Sequence, residues 1–99
     1  MKVIDQKKLS TFRLEIDQID VDIVHLIGRR AEVVRKLMTL KDDDEAVRSP
    51  GRVEQVVSNA RATARRVGAP EDVVTQTYRV MIRALTDLQL REYREKKDD

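Results

Sequence analysis

The chain has no cysteine among its 99 residues, which excludes a disulfide framework and any thiolate-held metal. Tryptophan is also absent, and one phenylalanine and two tyrosines supply all the aromatic surface. Rings this scarce give no stacking platform for the bases of a single strand. Charge of one sign is lacking as well. Acids and bases interleave to a net +2, so no basic stripe marks a nucleic-acid face, and the one cluster, Arg61, Arg65 and Arg66, reads as a solvated helix surface. No apolar run approaches the roughly 20 residues of a membrane span, and Met1-Lys2-Val3-Ile4-Asp5 has no apolar signal region. A cytoplasmic protein with neither membrane nor nucleic acid as partner is expected. His25 is the single histidine, so no metal site is expected, and no glycine-rich loop suggests a phosphate-bearing cofactor. Ser10, Ser49 and Ser58 lack a histidine with a plausible partner, which leaves no nucleophile and base to nominate.

What the sequence does contain is helical periodicity. Phe12, Ile16, Ile19, Ile23, Leu26, Ile27, Val33, Val34 and Leu37 recur at three- and four-residue steps, one stripe of a long helix from about Asp5 to Leu40. Asp5 or Ser10 would cap it, with acids in its first half and bases in its second, the favourable signs for the macrodipole. Gly28 lies mid-helix, where a small residue would let another backbone approach. The acidic run Asp42-Asp43-Asp44-Glu45 reads as a loop. Ser49-Pro50-Gly51-Arg52 is an N-cap with proline at the first helical position, followed by a stripe of Val53, Val56, Val57, Ala60, Ala64 and Val67 that stops at Gly68. Pro70-Glu71-Asp72 opens a third helix whose apolar face is Val73, Val74, Thr77, Tyr78, Met81, Ile82, Leu85, Leu88 and Tyr93. The charged stretch after Arg91 is expected to fray. The expectation is one all-α domain over residues 1–99, frayed at 1–8 and 95–99. So thin an apolar set struggles to close a core in one chain, and dimerisation is expected to complete it.

A few polar residues interrupt the stripes. Arg30 and Lys41 stand where apolar residues are due. Eleven positions apart, they return to within about 20° of one direction, about 16 Å along the axis. Two cationic arms over that distance leave room for a small dianion, or they snorkel at the edge of a core. Arg52 lies in the first turn of the second helix. Gln89 projects an amide from the apolar face of the third, four residues after Leu85, and a buried amide needs a partner: a backbone carbonyl, a water or a ligand. Chemistry done by cations and an amide excludes most hydrolases and leaves reactions driven by binding and electrostatics.

The ordered set Arg13, Ile16-Asp17-x-Ile19-Asp20, Gly28-Arg29-Arg30, Lys41, Pro50-Gly51-Arg52-Val53 and Gln89 resembles the all-helical chorismate mutases, from about Leu9 to Arg94. The resemblance implies an intertwined homodimer of three-helix chains, two cationic pockets and a small dicarboxylate substrate, with no cofactor. It implies catalytic roles for Arg30, Lys41 and Gln89. Substrate binding would fall to Arg30, Lys41, Arg52, Ser49, Val53, Leu85 and Gln89, with Arg13 entering from the partner chain. Arg13 and Arg30 are about 100° out of phase on a straight helix, which fits Arg13 serving the other pocket.

Two positions depart from the mutase pattern. Val53 stands where the mutases usually carry a glutamate associated with the ring C4 hydroxyl, and Ser49 where they carry an upstream acid. An apolar residue after the arginine is similar to the isochorismate pyruvate lyases, and the Pro-Gly-Arg-Val run to the aminodeoxychorismate mutases. Chorismate to prephenate leads as the expected reaction, with isochorismate to salicylate plus pyruvate as the alternative. Behind these stand aminodeoxychorismate mutase activity and a non-catalytic helical dimerisation module.

Overall fold

The first helix starts at an aspartate. Asp5 Oδ1 accepts the backbone N–H of Lys7 at 3.0 Å and of Lys8 at 3.1 Å, satisfying two donors that the first turn would otherwise leave open. Of the two caps the sequence offered, Asp5 is the one used. The computed structural model describes residues 3–40 and 48–98, and these form three α-helices: α1, Gln6–Met38; α2, Pro50–Val67; and α3, Glu71–Asp98. The protein is all-α, and no strand occurs among the described residues. Lys41 and the acidic run 42–45 lie outside them. No helix among them is long and apolar enough to cross a membrane.

α2 is capped by backbone geometry. Ser49 sits at φ 36°, ψ 64°, in a left-handed conformation that costs a non-glycine residue roughly 1–2 kcal/mol. Its carbonyl accepts the N–H of Arg52 at 3.0 Å and of Val53 at 3.1 Å. Pro50 at the first helical position fits both its fixed φ and its missing donor. At the other end Gly68 takes φ 76°, donating its N–H to the Ala64 carbonyl, and Ala69 N–H reaches the same carbonyl at 2.8 Å. A Cβ on Gly68 would meet nothing within 4 Å, so the glycine is needed for its backbone conformation and not for space.

The chain divides into two compact units, Met1–Val34 and Arg35–Asp99. In the second, α2 packs on α3, and the buried apolar residues are Val57, Ala64 and Leu90. The stripes expected from periodicity hold in part. Val53, Val56 and Ala60 on α2, and Val74, Tyr78, Met81, Ile82, Leu85, Leu88 and Tyr93 on α3, are half-buried. Val67 and Val73 are exposed, although the two helices meet in these turns, where Arg65 pairs with Glu71 and Arg61 donates to Thr75. Leu90 and Thr75 are buried though neither belonged to the expected stripes. The charged end of α3, expected to fray, is helical through Asp98. Tyr93 is half-buried there, and Glu92 forms a forked pair with Arg35, 3.2 and 3.3 Å. Residues 6–8, also expected to fray, are held as helix by the Asp5 cap.

The first unit is a helix with most of its apolar side exposed, Val34 at its end being half-buried. No residue of α1 is buried. Phe12 is 61% exposed, Leu26 57% and Ile23 48%. A stripe that regular, left in water, has no stabilising effect on its own chain. The space beside Gly28 is open as well, with nothing within 4 Å of where a Cβ would stand.

Candidate active site

Gln89 is the expected site residue that the fold treats most unusually. About five turns into α3, it is 3% exposed, and its Nε2 has no hydrogen-bond partner among the described residues. Leaving such a donor unmatched costs about 1–3 kcal/mol. Gln89 lines a cavity of about 330 Å³ with Arg35, Met38, Thr39, Glu92, Tyr93 and Lys96. Periodicity does not place the last turn of α1 there, but Glu92, Tyr93 and Lys96 follow Gln89 at three-, four- and seven-residue steps, one face of α3.

Val53 lines a different cavity of about 240 Å³, with Arg48, Arg79, Ile82, Arg83, Thr86 and Asp87. Arg79 is engaged there, its two Nη atoms donating to both Glu54 carboxylate oxygens at 2.9 and 3.2 Å. That fork, more than simple charge attraction, holds the Glu54 carboxyl below its usual value and raises the arginine. Ile82, Thr86 and Gln89 recur at four- and three-residue steps, a signal that could have found Thr86 from the sequence.

The other expected residues are spread over the chain. Arg52 is exposed and its Nη1 donates to Gln55 Oε1 at 2.8 Å. Ser49 is half-buried at the head of α2, and Leu85 is half-buried one turn before Gln89. Arg30 is half-buried and Arg13 exposed, both in the first unit. Lys41 lies outside the described residues. Arg61, Arg65 and Arg66 are exposed, as a solvated face would be. Arg61 donates to Thr75 Oγ1 at 3.2 Å, and Arg65 forks onto Glu71 at 2.9 and 3.4 Å across the Gly68 turn. His25 is exposed. Among the described residues no cluster of three metal-ligating side chains occurs.

A buried amide without an acceptor is a donor held ready for a ligand, and the other site candidates of this all-α chain include the cations Arg13, Arg30 and Arg52. The family model for chorismate mutase type II matches residues 12–90. The chain belongs to the type II chorismate mutase family. Membership places it, at family level, among chorismate mutase-type pericyclic enzymes. Among curated proteins nothing matches it. The matched span of this type II chorismate mutase contains Arg13, Arg30, Arg52, Val53 and Gln89, and ends one residue beyond Gln89.

Proposed function

We propose that this protein converts chorismate to prephenate, working as a homodimer. The observation that carries the reading is Gln89, a neutral donor held out of water with its Nε2 unmatched. An amide keeps its donor at every relevant pH. In this reaction the ether C–O bond breaks as a new C–C bond forms within one molecule, with no proton transferred. The protein has to hold the enolpyruvyl arm over the ring and meet the negative charge that grows on the ether oxygen. Gln89 and Lys41 donate to that oxygen. Arg30 and Arg52, with Arg13 of the partner subunit, bind the two carboxylates, for which planar guanidinium forks are matched in geometry and charge.

The dimer is part of the same reading. The bare stripe of α1 supports a second copy as its cover, since apolar surface returns about 25 cal/mol for each Å² removed from water. One observation favours a second reaction. Val53 and Ile82 give their cavity an apolar wall, which suits a ring without a C4 hydroxyl and hence isochorismate cleavage to salicylate and pyruvate.

Side-by-side turnover decides between them. Loss of chorismate absorbance with prephenate as product is the expected result. Pyruvate released from isochorismate at a higher kcat/KM would reverse the order, and turnover of aminodeoxychorismate alone would move the substrate to a ring amine. Inertness toward all three would leave a helical dimerisation module.

A further inference from the structure

The threonines of α3 divide into two kinds. Thr75 Oγ1 donates to the Glu71 carbonyl at 2.8 Å, and Thr77 Oγ1 to the Val73 carbonyl at 2.7 Å. This bond to the preceding turn is the usual resting place of a helical hydroxyl. Thr86 does otherwise. Its hydroxyl makes no hydrogen bond among the described residues, although the side chain is half-buried and lines the cavity that contains Val53.

The neighbours in that cavity show what the hydroxyl is placed to do. Val53 and Ile82 offer apolar contact only. Arg79 is engaged by Glu54. Arg48, Arg83 and Asp87 are exposed, where water competes for their hydrogen bonds. Thr86 is therefore the one neutral, half-buried group among the described lining residues that can both donate and accept.

We propose that Thr86 determines specificity for the ring substituent, its Oγ1 hydrogen-bonding the C4 hydroxyl of chorismate beside Val53. The assignment rests on the mutase reading above and deepens it. A hydroxyl in the same cavity supplies what the valine cannot, so the apolar residue at position 53 does not by itself make the pocket lyase-like.

The test is a cycle of two deletions on the intact protein, one in the side chain and one in the substrate. Thr86→Val keeps the shape and removes the hydroxyl. The 4-deoxy analogue of chorismate removes the partner. Thr86→Val is expected to lower kcat/KM for chorismate on the order of 5- to 150-fold, to leave the 4-deoxy analogue within about 2-fold, and to be rescued by Thr86→Ser. Equal loss on both substrates, as misfolding would give, overturns the assignment, as does failure of the serine variant to rescue. Wild-type protein that converts isochorismate but not chorismate overturns the Thr86 assignment and leaves the lyase reading standing. Wild-type protein inert toward both removes assignment and function together.

Discussion

Gln89 carries the conflict between folding and activity at the level of a single residue. Packing holds it 3% exposed with Nε2 unmatched, a loss for stability that a ligand acceptor would recover. Replacing the amide by a carboxylic acid keeps the shape and makes the donor titratable. In Gln89→Glu the acid at this site has its pKa raised by burial, because desolvation disfavours the charged form. Only the protonated acid donates, so kcat/KM of the variant is expected to climb as pH falls, while the wild-type profile stays level over the same range. A variant profile as level as the wild type would make Gln89 a packing residue.

At the scale of the element, the α2–α3 hairpin joins a small apolar centre to a charged exterior. Val57 and Ala64 supply the buried part of that centre from α2. Arg79–Glu54 and Arg65–Glu71 bridge the two helices outside it. Both carboxyls sit below their usual value of 4.5, chiefly through hydrogen bonds from Arg79 and from Arg65. A carboxyl lowered in the folded state stabilises the fold above its unfolded pKa, and that stabilisation is lost as pH falls through the folded value. The wild-type melting temperature should therefore drop as pH is lowered from about 4.5. Both pairs are solvent-exposed, so the drop is modest and shrinks in salt. In Glu54→Gln/Glu71→Gln the acid-side slope should be shallower, measured by thermal unfolding across pH. An unchanged slope would assign the acid sensitivity to other carboxyls.

For the whole molecule the governing fact is that no residue of α1 is fully buried. Ordering a residue costs about 1–2 kcal/mol of backbone entropy, and a helix with its apolar stripe in water has little to set against it. Covering by a second copy would couple folding to association. The expected outcome is an unfolding midpoint that rises with protein concentration, together with a dimer mass by sedimentation. A monomer mass with a concentration-independent midpoint would remove the proposed partner and, with it, the role given to Arg13.

By itself the sequence determined the helices, because their causes are local. An aspartate cap at Asp5, prolines at 50 and 70, a left-handed glycine at 68 and apolar residues every three or four positions act within a turn or two of themselves. Residue type was legible too: cations and one amide in an order that resembles a known family, which the match over residues 12–90 then showed. Burial was a different matter. Periodicity put Gln89, Leu85 and Ile82 on one face, but only the tertiary packing decided that Gln89 would be sealed while Val73 and Val67 stayed in water. It also decided that Leu90 would be buried. The same packing set Thr86 beside Val53 across a gap of more than thirty residues. A side chain's neighbours on another helix depend on where the two helices meet, which is a long-range result that no local pattern encodes.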